Sequence, residues 1–524
     1  MSKEKSTAFL KGTISLSISV IITKILGVAF KVPLSYILGD EGMGYFNTAY
    51  AIYGLFYILC TAGVPKSLAL VLAEHRNSKG TGKDEISVVK SALFLFAKIG
   101  AISTLINITC APAFANFVGN KNAMLSILAI APSIFFVSLS GVLRGYLNSS
   151  ERLTPIAVSQ LIEGALKLAL GLAFAYIGVK TSASNSVVSA LAISGITVGS
   201  AISFFYMMFV SFYKNTDINT KQNMVIDRKK LNAKIIKNAL PIALCSSLLN
   251  LSSTIDLTII IKRLVEGGMS ESNANAVYGN YTTLAVPMFT LIISVLSPLA
   301  TSYMPRLSNI AVKGDKQSFL SELNRLLIIT ILISVPASLT FYFYSFDLLD
   351  VLFSVQSSAI GADMLICLSL GVCLLTSLTV INTALESQGK IGITVMSLLL
   401  GALTKFAVSN ILIGRGGLGI LGAPIGTVIS YAVSLFISVF ALELSGIKAY
   451  PILKNIGIYI IGIVSFYPPF KLIYSRGISE SSFISMVIAL LTSGVLYIAF
   501  LVSSYLLKRK LFMFNMHKKE HNTL

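Results

Sequence analysis

Tryptophan is absent from this chain of 524 residues, which contains only three histidines and five cysteines. The histidines lie in basic loop or tail segments, so there is almost no material for a zinc site or a histidine-based catalytic site. The cysteines are scattered through apolar runs without metal-ligand spacing, a pattern that favours small buried side chains over a disulfide framework. Tyrosine and phenylalanine must therefore supply any aromatic belt at a membrane surface.

Charged residues are also scarce. They make up 12% of the chain, whereas a soluble domain carries roughly 25%, and 55% of the residues are hydrophobic. This composition predicts an all-α integral membrane protein. The net charge of +19 arises from basic residues concentrated in alternate loops, which is the pattern of cytoplasmic loops rather than of a nucleic-acid groove. It places both termini in the cytoplasm and requires an even number of spans.

Apolar runs of about 20 residues, the length that spans a bilayer, occur about fourteen times. The first run is too long for a signal-peptide core, so we predict a retained first helix. The runs begin near Gly12, Tyr45, Val88, Ala123, Pro155, Val187, Ile235, Ala274, Phe319, Ile360, Ile391, Ile420, Ile452 and Phe483.

The longest polar connection, Tyr213 to Lys234, separates two sets of spans, and a local repeat supports this division. At an offset of about 238 residues, Ser159-Gln-Leu-Ile-Glu-Gly-Ala-Leu-Lys167 lies over Ser397-Leu-Leu-Leu-Gly-Ala-Leu-Thr-Lys405. A repeat of this kind predicts two six-helix lobes related by an axis along the membrane normal, with Lys167 and Lys405 facing one central cavity. The predicted parts are the N-lobe, a cytoplasmic linker, the C-lobe, two added helices and a basic tail, at residues 1–213, 214–234, 235–446, 447–508 and 509–524.

Five ionisable side chains lie deep inside predicted spans: Lys24, Glu163, Lys167, Asp256 and Lys405. A cation at the bilayer centre costs about 2.5–3.5 kcal/mol on insertion scales, so such residues are expected to face a protein interior or a wet cavity. Three of the five are lysines. The excess of positive charge predicts an anionic passenger.

Two pairs of these residues share a helix face. Lys24 and Lys31 are two turns apart, and Lys31 either lines the cavity with Lys24 or extends to the outer headgroups. Glu163 and Lys167 stand at i,i+4, which predicts an intrahelical pair. That pair either tolerates burial as a neutral unit or allows Glu163 to position Lys167.

Asp256 is predicted to pair with Lys262 or Arg263, one to two turns further along its helix. Those two cations otherwise serve as anchors at the outer helix end. Glu163 and Asp256 are the candidate carboxylates for coupling transport to Na⁺ or H⁺, and the membrane potential is the alternative driving force.

Arg144 and Arg306 lie at inner helix ends and are either topology determinants or gate residues, and Glu386 is a secondary candidate. The glycine-rich segment before Ile420 lacks the preceding strand and the lysine-plus-hydroxyl ending of a phosphate-binding loop. The sequence contains no hydrolytic triad, paired carboxylates or metal cluster, so we predict that the protein is not an enzyme and needs no cofactor.

Several motifs resemble one known family, the stage V sporulation protein B-type polysaccharide transporters. That group belongs to the multidrug/oligosaccharidyl-lipid/polysaccharide exporter superfamily and is related to the bacterial lipid II flippases. The motifs are Lys31-Val-Pro-Leu, Gly39-Asp-Glu-Gly-Met-Gly44, Ala49-Tyr-Ala-Ile-Tyr53, Thr61-Ala-Gly-Val-Pro65, Ala73-Glu-His75, Arg144-Gly-Tyr146, Thr154-Pro155, Ser159-Gln-Leu-Ile-Glu163, Met304-Pro-Arg-Leu-Ser308 and Gly419-Ile-Leu-Gly-Ala-Pro-Ile-Gly-Thr427.

The resemblance implies two lobes forming a V around a cationic cavity, alternating access, and a groove for a lipid tail formed by the last two helices. It also implies that cavity cations meet the diphosphate of an undecaprenyl-linked sugar, with Lys24, Lys31, Lys167 and Lys405 as the counterparts here. Phe30-Lys31 stands where the Gram-negative flippases carry an Arg-Asp pair, so a mechanism that depends on that pair does not transfer.

The function expected from these features is a monomeric flippase in the bacterial cytoplasmic membrane that exports a lipid-linked sugar for peptidoglycan, spore-cortex or surface-polysaccharide synthesis. Its partners are the lipid-linked sugar, membrane lipids and cell-wall synthesis proteins. The alternatives are a cation-coupled multidrug antiporter of the same superfamily and a non-transporting component of a wall-synthesis complex.

Overall fold

The computed structural model describes most of the chain from residue 3 to residue 446, with gaps, and parts of 471–497. The gaps are at residues 62, 66, 69–70, 73–81, 151, 213–227, 354 and 415–416, and beyond residue 446 only residues 471, 485, 488–489 and 491–497 are described. The described part consists of helices and contains no strand, which confirms the predicted all-α class.

Fourteen α-helices can be delimited in the described part, and a π-helical turn, Tyr281–Ala285, joins the eighth to the ninth. Short 3₁₀ turns precede α4 and α14. The helices are α1 (Lys3–Thr61), α2 (Gly82–Thr109), α3 (Ala111–Val118), α4 (Met124–Ser149), α5 (Leu153–Lys180), α6 (Asn185–Phe212), α7 (Arg228–Glu266), α8 (Glu271–Asn280), α9 (Val286–Val312), α10 (Lys316–Phe343), α11 (Ser345–Asp350), α12 (Val355–Ser387), α13 (Ile391–Gly414) and α14 (Gly422–Leu444).

Ten helical spans in the described residues are long and apolar enough to cross a membrane. Each of the first twelve predicted starts lies in a described helix or in a 3₁₀ turn that leads into one. The last two starts, the 447–508 helix pair and the 509–524 tail lie wholly or largely outside the described residues. The count of fourteen spans therefore stays a prediction.

Helix α1 is two helices joined at a single residue. Gly39 has φ 64° and ψ 179°, outside the helical region, and this positive φ favours glycine because a Cβ would be strained there. Pro33 lies six residues earlier and also removes a backbone donor from the helix. The first two predicted spans thus meet at the glycine-rich segment without an intervening loop.

The chain divides into two compact units, Met1–Pro287 with Leu398–Thr427, and Met288–Ser397 with Val428–Leu524. In the first unit, α6 packs against α4 and α5, and α1 packs against α5. In the second, leucines of α9, α10, α12 and α14 form a buried core. The lobe boundaries drawn from the sequence stay a prediction. The segment predicted as a linker is described only from Arg228, where helix α7 already begins.

The two halves of the sequence repeat have the same local structure. Ser159 on α5 and Ser397 on α13 are fully buried, and each donates its hydroxyl to the carbonyl three residues earlier in its own helix. The carbonyl of Ser159 accepts a hydrogen bond from Ser203 of the following helix at 2.9 Å. The carbonyl of Ser397 accepts one from Ser434, also on the following helix, at 3.0 Å. This shared arrangement supports an internal duplication.

The backbones of α1 and α8 approach closely at two glycines. A Cβ on Gly44 would lie 2.3 Å from the carbonyl oxygen of Asn275, and one on Gly279 would lie 2.3 Å from that of Asp40. Both distances are too short for a carbon atom, so these helices can pack this way only where both positions lack a side chain. The contact fixes the second half of α1 against α8.

Gly44→Ala is expected to lower the free energy of unfolding by about 1–3 kcal/mol, because the added methyl group forces the two backbones apart. Gly54→Ala is the matched control, since it lies on the same helix and its Cβ would meet no atom within 4 Å. Thermal unfolding of the purified variants in detergent measures the difference. Equal stability of the two variants would show that the close approach is dispensable.

Candidate functional site

The first half of α1 and the middle of α5 bring Lys31 and Lys167 together in a first polar cluster. Packing of Phe30 explains the placement, because its ring lies over Gly171, where a Cβ would be 2.7 Å from the ring. Lys31 follows directly in sequence, and Lys167 lies one turn before Gly171. Both lysines are half-buried, and they are close enough for their charges to interact.

Lys31 donates to neutral oxygen atoms. Its Nζ lies 3.0 Å from the backbone carbonyl oxygen of Thr282 and 3.4 Å from Oδ1 of Asn47. Asn47 is held in turn by its Nδ2, which donates to Oγ1 of Thr283 at 2.7 Å. Among the described residues no carboxylate lies within 4.0 Å of the Lys31 ammonium, so its charge is solvated by dipoles alone.

Lys167 lies over aromatic rings. Its Nζ is 4.8 Å from the ring centre of Tyr50 and 5.3 Å from that of Phe30, distances typical of cation–π contacts. In the part of the chain that the structure describes, it has no ion-pair partner. The predicted pair with Glu163 is wrong in this structure, because Glu163 binds Arg144 of α4 at 3.1 Å.

An aromatic ladder continues from Tyr50 along α1. Its ring centres are 5.9 Å apart between Tyr50 and Tyr53 and 5.6 Å apart between Tyr53 and Tyr57. The Tyr57 phenol lies beside the Arg144–Glu163 pair. Sequence reasoning did not assign these tyrosines to the site, although their three- and four-residue spacing on one helix face was available to find them.

A second polar cluster has a buried ion pair at its centre. Lys405 has no exposed surface and Asp256 is 6% exposed, and the Lys405 Nζ lies 2.7 Å from Oδ2 of Asp256. The same ammonium donates to the hydroxyl and the carbonyl of Ser252, at 2.6 and 3.0 Å. Tyr281 donates its hydroxyl to Asp256 Oδ2 at 3.4 Å. The other oxygen, Oδ1, has no hydrogen-bond partner among the described residues, so the carboxylate depends on Lys405.

This cluster corrects the predicted pairing of Asp256 with Lys262 or Arg263. Lys262 is exposed, and Arg263 binds Glu266 at 2.5 Å and Asn410 at 2.6 Å. The physical reason is position. Asp256 faces Lys405 of α13 in the interior, whereas the next two cations of α7 lie towards the end of the helix.

The remaining candidates are Lys24, Arg306 and Glu386. Lys24 is exposed, so it shares a helix but not a set of contacts with Lys31. Arg306, in the second unit, pairs with Glu322 at 2.6 Å and is 59% exposed. Glu386, in the same unit, is half-buried. The described residues contain no group of three or more histidine, cysteine or carboxylate side chains able to hold a metal ion.

Comparison with known proteins assigns the chain to a family. A family described as polysaccharide biosynthesis protein matches residues 9–311, which is more than half of the chain. The chain belongs to this family. The matched region contains α1 from residue 9, α5, α7 and the π-helical turn Tyr281–Ala285. It therefore includes every residue of the two clusters except Lys405.

Two named relatives are similar to this protein over most of its length. The chain is 24% identical over 427 residues to stage V sporulation protein B of Bacillus subtilis strain 168, covering 80% of each protein. It is 23% identical over 467 residues to the lipid II flippase MurJ of the same strain, covering 86% of this chain and 85% of the relative. The predicted resemblance to this family is thus confirmed.

Solved structures confirm the fold class. An inward closed conformation of lipid II flippase MurJ matches with a TM-score of 0.70 at 18% identity, covering 95% of this chain and 100% of that one. An inward-facing multidrug resistance transporter of the MATE family matches with a TM-score of 0.66 at 14% identity, covering 83% and 99%. The chain is a multi-pass membrane protein with a transporter fold, and its named neighbours are transporters and flippases rather than enzymes.

Proposed function

We propose that the protein is a flippase that moves an anionic undecaprenyl-diphosphate-linked sugar from the inner to the outer leaflet by alternating access. The observation that carries the proposal is the pair Lys31 and Lys167, two neighbouring interior cations without a carboxylate partner among the described residues. A relative named as a lipid II flippase supports the same substrate class. The headgroup sugar is the part that this pair does not specify.

Electrostatics explains why these two lysines suit a diphosphate. Like charges in a poorly screened interior repel one another, and each ammonium here is compensated by neutral dipoles or by aromatic faces only. A diphosphate that bridges both ammonium groups replaces this repulsion with two charge-assisted contacts. Lys24, which is exposed two turns before Lys31 on α1, would attract the diphosphate as it enters. Lys405 would act indirectly by holding α13 to α7.

The membrane potential is the proposed driving force. Moving one charge across 100 mV is worth about 2.3 kcal/mol, so a passenger with two negative charges gains about twice that when the outside is positive. The contacts of the two candidate coupling carboxylates support this choice. Asp256 is bound to Lys405 and Glu163 to Arg144, so neither is free to bind a coupling ion. Rocking of two lobes supplies alternating access, with both termini on the cytoplasmic side.

A cation-coupled multidrug antiporter is the second candidate, since the MATE transporter fold also matches. Such a protein needs interior carboxylates free to bind Na⁺, H⁺ or a cationic drug, and here both are paired with basic side chains. A non-transporting component of a wall-synthesis complex would need no paired interior cations at all. Neither alternative accounts for Lys31 and Lys167.

Binding to the purified protein in nanodiscs tests the proposal. Labelled undecaprenyl diphosphate is expected to bind. Undecaprenol, the neutral alcohol of the same chain length, is expected to bind far more weakly. A cationic dye is expected not to compete with the charged lipid. Competition by the dye, or equal binding of the charged and neutral lipids, would contradict the proposal. The first result would favour the antiporter and the second a site for lipid tails alone.

A further inference from the structure

The π-helical turn between α8 and α9 connects the two polar clusters. Three successive residues of this turn contribute. Tyr281 donates its hydroxyl to Asp256, Thr282 accepts from Lys31 through its carbonyl, and the Thr283 hydroxyl accepts from Asn47. The turn is therefore attached to α7 at its first residue and to α1 at the next two.

The Thr282 carbonyl that accepts from Lys31 lies inside this π-helical turn. At its end the amide of Val286 donates to the carbonyl of Tyr281, five residues earlier, instead of the four of an α-helix. Single π-helical turns are rare and are frequently found at functional sites. Here the Thr282 carbonyl accepts from a charged side chain of another helix.

Further contacts beside the break in α1 hold α8 in place. Asn280 Nδ2 donates to Asp40 Oδ2 at 3.2 Å, the Ser272 hydroxyl donates to Glu41 Oε1 at 2.8 Å, and Gly44 packs on the backbone of α8. We call this set of contacts, with the Lys31–Thr282 bond, the α1–α8 gate. Because the charge pattern predicts a cytoplasmic N-terminus, the junction between the first two spans at Gly39 is expected to face outward.

We propose that Lys31 couples binding of the anionic substrate to opening of the α1–α8 gate, an inference that rests on the proposed function. One ammonium group serves both purposes. In the structure described here it bonds to the neutral Thr282 carbonyl and closes the gate. A diphosphate is the stronger acceptor, because its negative charge attracts the ammonium in addition to accepting a hydrogen bond, whereas the carbonyl offers only a dipole.

Transfer of the ammonium to the diphosphate removes one of the two links between α1 and the π-helical turn. The Asn47–Thr283 bond remains, but its asparagine no longer has Lys31 to position. The gate is then held only by its remaining contacts, which include those at Asp40, Glu41 and Gly44. A substrate without negative charge cannot trigger this change. Anionic lipids are therefore selected twice, once when they bind and once when the gate opens.

Cross-linking across the gate tests the inference. In a full-length protein whose five native cysteines are replaced, Asp40→Cys and Asn280→Cys place two thiols where the side chains now meet. Oxidation in nanodiscs is expected to cross-link them readily in the absence of ligand. Undecaprenyl diphosphate is expected to slow the initial rate at least threefold, and undecaprenol to leave it unchanged.

Two further variants in this background separate coupling from stability. Lys31→Met is expected to cross-link slowly with or without the charged lipid. Asn47→Leu retains the ammonium but removes its positioning residue, so we expect slow basal cross-linking together with retained binding of undecaprenyl diphosphate. Loss of binding in Asn47→Leu would make it a ligand of the substrate and overturn its role in the gate.

The result that overturns the inference alone is binding of undecaprenyl diphosphate with no change in cross-linking rate, which would leave the proposed function intact. Failure of the protein to bind the charged lipid at all would overturn both. Slowing by undecaprenol to the same extent would show that the gate responds to the lipid tail rather than to the diphosphate.

Discussion

Lys405→Met is expected to lower the free energy of unfolding by about 3–5 kcal/mol, the range found when one partner of a buried ion pair is removed. The loss is large because Asp256 would remain buried with one carboxylate oxygen lacking any hydrogen-bond partner in the described residues and the other bonded only to Tyr281 at 3.4 Å. Thermal unfolding in detergent measures the effect.

A double variant provides the control. Asp256→Leu combined with Lys405→Met removes both charges, and replacing a buried pair with apolar residues is often neutral or stabilising. The double variant is therefore expected to recover most of the stability lost by the single one. Lys262→Met, at an exposed position of the same helix as Asp256, should have little effect. A single Lys405→Met variant as stable as the unchanged protein would contradict this account of the cluster.

Lys167→Met is expected to weaken binding of undecaprenyl diphosphate and to slow its transport by about 10- to 100-fold, since a hydrogen bond to a charged group is worth about 1.5–3 kcal/mol and each 1.4 kcal/mol is a factor of ten. Stability should change little, because Lys167 has no ion-pair partner within the described part of the chain. Binding isotherms and translocation rates of the purified variant measure the two effects.

Two variants on the same helix control for the loss of charge. Lys167→Arg keeps the positive charge and the contact with aromatic rings, so it should retain most of the transport rate. Lys180→Met removes an exposed cation at the end of α5 and should behave as the unchanged protein. If Lys180→Met were as impaired as Lys167→Met, the effect would come from the overall charge of the protein and not from the site.

The sequence was sufficient to predict the class of fold and the interior position of most of the charged residues. Apolar run length predicted twelve helix positions that the structure contains, because the hydrophobic thickness of a bilayer fixes that length. The cost of burying a charge likewise predicted that Lys167, Asp256 and Lys405 would be sheltered from lipid. Lys24 is exposed, and its place in a wet cavity stays a prediction.

Side-chain partners were less predictable than positions. The i,i+4 spacing favoured a pair between Glu163 and Lys167, but such a pair is worth only about 0.2–0.5 kcal/mol, and tertiary neighbours decide instead. Arg144 lies on a different helix, and Asp256 finds its partner 149 residues away. Local spacing carries no information about either contact.

The contacts of Lys31 depend on a backbone geometry that has no recognisable pattern in the sequence. The π-helical turn at Tyr281–Ala285 occurs in the sequence Tyr-Thr-Thr-Leu-Ala, which contains neither proline nor glycine. Its carbonyl at Thr282 could become a ligand of Lys31 only after α8 had packed on α1. The glycines at 44 and 279 permit that packing, and a pair of glycines 235 residues apart cannot be matched from one sequence.

The internal repeat shows both what duplication preserves and what it does not. The serines at 159 and 397 keep the same hydrogen bonds, whereas the lysines eight residues later have different surroundings. Lys167 lies half-buried over aromatic rings, and Lys405 is fully buried against a carboxylate. The two lysines that the repeat predicts to be equivalent therefore have different partners.

Translocation of labelled lipid II by the purified protein in liposomes, with an imposed potential positive outside, tests the central claim most directly. A second undecaprenyl-diphosphate sugar should be included to separate recognition of the diphosphate from that of the sugar. We expect the protein to move at least one of these lipids faster as the potential rises, and Lys31→Met and Lys167→Met to abolish most of this movement. Movement of neither lipid, with cation-driven efflux of a dye instead, would contradict the account and indicate a drug antiporter.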